Sequence, residues 1–454
     1  MQTPRALAML AAGSVALGAA GDALAGRRLT LDELTRRARA GPRAEAARFA
    51  VRQAEGRIIE ARGARFPRLE LRALAAPSPD ISCLDPACTT TSPEEPTIAL
   101  DGLYAGLDLT LAQPLFTFGK LAAAERGARH AAAALQSAEA AVVGDIEVDA
   151  ARAYYGLKLA REMTDELEDG LAALVRARRQ VNEQLAAGKE SVTVQDRLRL
   201  DTVVAEARIR LADAREAEAS ALAAVRALAG DPTSDVDGAP LAADRAALEP
   251  VARYDRRALA GRAELTALRH AESGAASLAD LERARFLPDL YLLGTFNLAH
   301  AGGVDDPPSA FARDPFNTTS VGVFAALRWN LEPFGQRGRL AAARARQGEA
   351  GAQLRAAGQA VRVDVARAHA QAQSAHRQLE AAAEGEKSAR GWVASVVQGE
   401  AIGVIEAKEL ADAYVAYFAL RARHLQAVHD WNLALVRLRR AAGAPGPTRG
   451  GGRP

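Results

Sequence analysis

Two segments that start about 220 residues apart repeat one another, and a repeat on this scale decides a fold before any single residue does. The first runs Phe66-Pro67-Arg68-Leu69-Glu70-Leu71 and resumes after a polar insert as Gln113-Pro114-Leu115-Phe116-Thr117-Phe118-Gly119-Lys120-Leu121. The second runs Phe286-Leu287-Pro288-Asp289-Leu290-Tyr291-Leu292 and resumes as Glu332-Pro333-Phe334-Gly335-Gln336-Arg337-Gly338-Arg339-Leu340. Each is a short strand pair set between long alanine-rich stretches. One module of helix, hairpin and helical hairpin is therefore used twice.

The strands are legible from period-two alternation. Leu103, Ala105, Leu107, Leu109 and Leu111 alternate with Tyr104, Gly106, Asp108 and Thr110. In the second copy Leu290, Leu292, Gly294, Phe296 and Leu298 form one face, with Tyr291, Thr295 and Asn297 on the other. Val321, Val323, Ala325, Leu327, Trp329 and Leu331 then alternate with Gly322, Phe324, Arg328 and Asn330. Strands of ~9 to 11 residues have the length that crosses a bilayer at a tilt. Asp108, Arg328 and Asn330 suit a wet interior, and the leucine and valine faces suit lipid.

The remaining sequence is helical at unusual length. Leu29-Thr30-Leu31-Asp32-Glu33-Leu34 opens a helix, with Thr30 as cap and Glu33 completing a capping box, and helix is predicted on to about Arg65, before Pro67. Little interrupts the pattern from Leu115 to Ala187, which at 1.5 Å per residue predicts a helix on the order of 100 Å long. Gly188 breaks it, and a returning helix is predicted from Ser191 to Ala229. The second copy predicts Leu340 to Gln398, a break near Gly399 and Gly403, and Glu406 to Ala442. Gly188 and Asp201 are answered by Gly399 and Asp412 at equal spacing. The resulting division is a leader at 1–25, a first repeat at 26–230 with its hairpin at 66–112, and a joining segment at 231–259. A second repeat follows at 260–442 with its hairpin at 286–331, then a disordered Gly/Pro/Arg tail at 443–454.

Composition narrows the function. Aromatics are 5% and charged residues 25%, in a chain rich in Ala, Arg, Glu and Leu, which suits long helices packed closely side by side. The net charge of +2 gives no bulk field for nucleic acid. Arg5, the apolar run Ala6 to Ala20 and Ala23-Leu24-Ala25 read as a signal peptide, so the chain is expected to be exported. No later apolar run approaches the ~20 residues of a spanning helix. Cys83 and Cys88, in the polar loop from Pro77 to Thr97, predict a disulfide staple in an oxidising compartment. No enzyme, cofactor or metal motif is present: His369 and His376, and His424 and His429, lack the four-residue spacing of helical zinc ligands. The cluster His424, His429 and Asp430 is read as scattered surface polarity.

Four strands cannot close a sheet around a lumen, and an open edge in hydrocarbon leaves backbone groups unpaired. Several chains must contribute to one barrel, while a pore-less periplasmic coiled-coil scaffold or adaptor-like protein stands as the alternative. The chain resembles the TolC-like outer membrane efflux proteins in Leu29-Thr30-Leu31-Asp32-Glu33-Leu34, Phe66-Pro67-Arg68-Leu69, Gln113-Pro114-Leu115-Phe116-Thr117-Phe118-Gly119-Lys120 and Leu410-Ala411-Asp412-Ala413. The resemblance implies a mainly α chain with membrane β. Three copies would join four strands each into a twelve-stranded barrel in the outer membrane, continued by an α-helical tunnel through the periplasm. It implies a passive exit duct for drugs, metals or proteins, partnered by a periplasmic adaptor and an inner-membrane pump. Adaptor docking then falls to Gly188, Lys189, Glu190, Ser191 and Val192, and to Gly399, Glu400, Ala401, Ile402, Gly403 and Val404. Glu380 and Glu384, and Asp165 and Asp169, each four apart on one helical face, would form acidic rings at a pore constriction.

Overall fold

The structure is a computed structural model, and it describes residues 28–78, 102–188, 192–302, 304, 316–401 and 407–443. The leader at 1–25, Cys83 and Cys88, and the tail beyond Gly443 lie outside the described residues. In chain order the elements are β1 (Arg28–Leu29), α1 (Leu31–Ala40), α2 (Pro42–Gly63), β2 (Arg68–Ser78), β3 (Gly102–Phe116), α3 (Lys120–Ala186) and α4 (Val194–Ala229). They continue as β4 (Asp235–Val236), α5 (Val251–Gly261), α6 (Ala263–Ala284), β5 (Asp289–Ala301), β6 (Thr318–Arg328), α7 (Pro333–Ala401) and α8 (Ala407–Ala441). The duplicated order of helix, strand pair and long helical hairpin is present as the repeat requires. Two compact units divide it: Met1–Glu45, Val142–Ala258 and Val363–Pro454 form one, and Ala46–Ala141 with Leu259–Arg362 form the other. Each unit draws on both halves of the chain.

The second unit carries an antiparallel sheet in the order β2-β3-β5-β6, so the two hairpins pair side by side through β3 and β5. Among the described residues nothing pairs with the outer edges of β2 and β6. The register sets Leu71 opposite Leu109, Leu109 opposite Phe296 and Phe296 opposite Val321, one apolar row across all four strands. The parallel row is Arg72, Asp108, Asn297 and Ser320 on the opposite face. The alternation read from sequence is thus carried coherently across the sheet.

Boundaries differ from expectation where backbone geometry intervenes. Strand β3 runs to Phe116, and Phe118 (φ 47) and Gly119 (φ 88) turn the chain, so α3 starts at Lys120 and not at Leu115. Helix α7 starts at Pro333, seven residues before the expected Leu340, because proline at the first helical position lacks only an N–H that would have no partner there. Strand β6 ends at Arg328, leaving Trp329 free to donate its indole N–H to the Phe286 carbonyl at 3.0 Å. The first helix is two, α1 and α2, parted at Gly41. Joining segment 231–259 also contributes structure of its own: β4 pairs in parallel with β1, and α5 begins at Val251.

The first unit is held by small interlocking cores. Leu29, Leu34, Ala150, Leu157 and Val225 are fully buried together around the start of the chain and the middle of α3. Toward the end of α3, Leu174, Val181, Val192, Leu200 and Val204 close the α3–α4 hairpin. Gly188 turns that hairpin at φ +72, a left-handed conformation that glycine adopts without Cβ strain. Thr193 then starts α4 with a full capping box: its hydroxyl accepts from the Asp196 N–H at 3.3 Å, and its own N–H donates to the Asp196 carboxylate at 2.9 Å. Thr193→Ala is expected to cost about 1 kcal/mol of local stability. The check is amide exchange at the start of α4, which should accelerate there and not at the start of α1.

Candidate functional site

The sheet presents two chemically opposed faces. On one, Asn297 donates its amide to Asp108, Arg72 pairs with Glu70 at 2.7 Å, and Arg328 lies 5.3 Å from the centre of the Tyr291 ring. Asp108 and Arg328 therefore sit on the polar face as the alternation requires, while Asn330 lies two residues beyond the end of β6 and outside the sheet. On the other face Leu69, Leu71, Val321, Val323 and Leu327 are exposed, Val321 at 81%. A soluble protein rarely leaves a continuous apolar surface of this kind uncovered.

In the first unit the helices converge on a carboxylate that sequence reading did not single out. Glu386 of α7, with a side chain only 8% exposed, meets Arg390 at 2.6 Å, Arg421 of α8 at 3.4 Å and the His424 ring. Arg421 continues the network to Glu166 of α3 at 2.8 Å and Glu162 at 3.7 Å. Burial alone would raise the Glu386 pKa, but the His424 hydrogen bond and the Arg421 and Arg390 charges more than offset it and hold the group below its ordinary value. Gly170 allows α3 to approach α8 here, since a Cβ at that position would meet the Phe418 ring at 3.1 Å.

The residues predicted for an acidic constriction sit beside this network. Asp165 and Asp169 are exposed and line a pocket of about 390 Å³ with Lys158, Arg161, Glu162 and Glu166. Glu380 and Glu384 are exposed on α7, with Glu380 3.5 Å from the His376 ring. The signal for Glu386 was present: Glu386 and Arg390 stand four apart, and Arg421 and His424 three apart, which places each pair on one face of its helix. Spacing alone could not tell that the two faces meet.

Elsewhere in the same unit, Lys158 donates to Asp237 at 2.5 Å and Tyr154 donates to its other oxygen at 2.7 Å. Burial and the Asp237 charge push the Tyr154 hydroxyl's pKa up, while Lys158 and Tyr154 overcome burial to hold Asp237 low. These groups line a pocket of about 660 Å³ with Asp244, Asn432 and Arg439. Among the described residues no group of three or more His, Cys, Asp and Glu side chains could hold a metal ion.

The hairpin ends are partly described. Gly188 is exposed at its turn, but Val192 is buried in the hairpin core and does not present its side chain for docking. Gly399 is a helical residue, and the backbone of Glu400 and Ala401 completes α7, so the helix runs three residues past the expected Gln398. Lys189, Glu190, Ser191, Ile402, Gly403 and Val404 lie outside the described residues. The duplicated aspartates use different partners: Asp201 meets Arg178 within its own hairpin at 3.5 Å, while Asp412 meets Arg199 of the other at 2.7 Å.

The chain combines an antiparallel sheet bearing one apolar outer face with duplicated long helical hairpins. The profile of the outer membrane efflux protein family matches residues 256–444. No curated protein sequence matches the chain. Among solved structures, CusC superposes with a TM-score of 0.71 at 19% identity, over 91% of this chain and 92% of that one. The outer membrane protein VceC of Vibrio cholerae gives 0.71 at 19%, over 91% and 96%, and the outer membrane channel MtrE of Neisseria gonorrhoeae gives 0.72 at 17%, over 91% and 89%. This chain carries the sequence signature of the outer membrane efflux proteins over its second half, and it has the fold of their channels.

Proposed function

We propose that this protein is the exit duct of a tripartite efflux or type I secretion system, set in the outer membrane of a Gram-negative bacterium and reaching into the periplasm. The observation that carries the reading is the four-stranded sheet whose outer strands have no partner among the described residues and whose apolar face is exposed. Its strands of 11, 15, 13 and 11 residues are long enough to cross a bilayer. A sheet can lie in lipid only when closed, so β6 of one copy pairs with β2 of the next, and three copies give twelve strands. A periplasmic scaffold has no use for this apolar face. Substrate passes down the lumen passively, driven by an inner-membrane pump through a periplasmic adaptor that docks at the hairpin ends around Gly188 and Gly399. No step of this function is catalytic.

The first test is the mass of the purified protein in detergent, followed by single-channel recording in a planar bilayer. A trimer with steady, small, cation-selective openings is expected, and a water-soluble monomer without conductance would remove the barrel. Glu380, Glu384, Asp165 and Asp169 are proposed to ring the narrow end of the lumen, where carboxylates attract cations. Glu380→Lys with Glu384→Lys should then lower cation over anion selectivity several-fold, measured as a reversal-potential shift in a salt gradient. An unshifted potential would move the constriction to other residues.

A further inference from the structure

We propose that the base of the sheet carries a built binding site for the headgroup of an anionic phospholipid, formed by Arg62, Arg65 and Arg129 converging on Glu125. The inference rests on the barrel reading. The register brings all four strands to one edge at this end: Arg68 begins β2 beside Ala112, Phe116 stands opposite Leu290, and Arg328 closes β6 opposite Asp289. Around that edge Phe66, Phe116, Trp329 and Phe334 are exposed, Phe334 at 83%. Exposed aromatic rings bordering an apolar strand face are the signature of a bilayer interface.

The charges directly beyond this belt are unevenly matched. Lys120 has Asp289 at 2.8 Å, Arg126 has Asp280 at 3.1 Å, Arg285 has Glu282 at 2.7 Å and Arg339 has Glu332 at 3.2 Å, each cation with its own carboxylate. Glu125 alone serves three guanidiniums: Arg62 at 2.9 Å, Arg65 at 2.6 Å and Arg129. Its side chain is 6% exposed, whereas those of the three arginines are 54%, 52% and 56% exposed. A nearly buried carboxylate thus holds three half-open guanidiniums together with two positive charges in excess. Each guanidinium carries five donors in a planar fork, and Glu125 cannot occupy them all. Phosphate oxygens fit the remainder bidentately.

Depth agrees with charge. Glu125 lies five residues into α3, about 7 Å along the helix. The headgroup layer beyond the hydrocarbon is roughly 5–8 Å thick. The long arginine stems bridge any remaining offset by reaching back toward the interface. The occupant is therefore a lipid of the leaflet facing the helices, and its negative headgroup offsets the excess charge.

Trp329, in the exposed belt, supplies the probe. The purified trimer is reconstituted into vesicles of phosphatidylcholine containing either dibrominated phosphatidylcholine or dibrominated phosphatidylglycerol, and tryptophan quenching is compared. Wild type should be quenched by both lipids, with a several-fold preference for the anionic one. Arg62→Gln with Arg65→Gln should bring that preference close to one while quenching by the zwitterionic lipid is unchanged. Glu125→Gln, which removes the competing carboxylate and keeps the arginines, should raise the preference, and it serves if the double variant fails to assemble. Equal quenching by both lipids in wild type, or a preference that neither substitution moves, would overturn the site. Absence of quenching by either lipid would instead overturn the placement of the sheet in the membrane.

Discussion

Val323→Arg is expected to abolish membrane-assembled trimer, whereas Ser320→Arg on the same strand should leave assembly intact. Val323 is at the centre of β6, 69% exposed and in the row with Leu69, Leu111 and Gly294. If that row faces lipid, an arginine there lies near the bilayer midplane, where the penalty is about 2–4 kcal/mol for each chain. A closed trimer repeats the penalty three times, and an open barrel has no alternative arrangement that hides it. Ser320 lies three residues away but on the face of Arg72, Asp108 and Asn297. There the same charge would enter the proposed lumen, across Asn297 from Asp108, and should shift selectivity toward anions without loss of trimer. Heat-resistant trimer on unboiled gels and conductance together read both outcomes. If both variants assemble alike, the apolar row does not face lipid.

This pair of substitutions also shows what was legible in the chain. A period of two is local, so each strand could be recognised alone, and the register aligned the separately read faces into continuous rows. Helix was equally plain, because alanine, leucine, glutamate and arginine favour it over dozens of successive positions. Element ends were less legible. Phe118 turns the chain with a positive φ that nothing in its side chain announces, and Gly399 stays helical in the last turn of α7 although the equivalent Gly188 makes a turn. A glycine permits a turn without requiring one. The site was harder still. Glu380 and Glu384 were visible as a spaced acidic pair, but both point to solvent in the single chain. Glu386 is not legible in the sequence because its importance depends on Arg421 and Glu166, 35 and 220 positions away, and no local pattern reports such a meeting. The arginines around Glu125 were hidden for the same reason, since α2 and α3 are separated in sequence by the whole first strand pair.

Acid and mutation should both loosen the helical unit through Glu386. Its carboxylate is the shared acceptor for Arg390, Arg421 and His424, three groups on two helices. Glu386→Gln keeps the shape but removes the charge, leaving Arg421 with Glu166 and Glu162 and leaving Arg390 without its partner. Removing one partner of a fully buried ion pair costs about 3–5 kcal/mol. Because Arg421 is 23% exposed and Arg390 65% exposed, solvent screens part of the interaction, and a loss of about 1–3 kcal/mol is the expected figure. The pH dependence follows from the direction of the shift. The folded pKa of Glu386 lies below the unfolded value of 4.5, so its stabilisation is complete above about pH 4.5 and is lost as the pH falls through the lower folded value. Wild type should therefore show a thermal midpoint that declines on acidification below pH 4.5. Glu386→Gln should start from a lower midpoint at pH 7 and decline less steeply, because the titrating group is gone. Arg421→Met separates the alternatives further: it leaves Glu386, Glu166 and Glu162 without their common cation, and protonation should partly restore what the substitution removed, so its midpoint should fall least on acidification. Parallel declines in all three proteins would mean that acid acts elsewhere, and that the convergence of α3, α7 and α8 does not depend on this network.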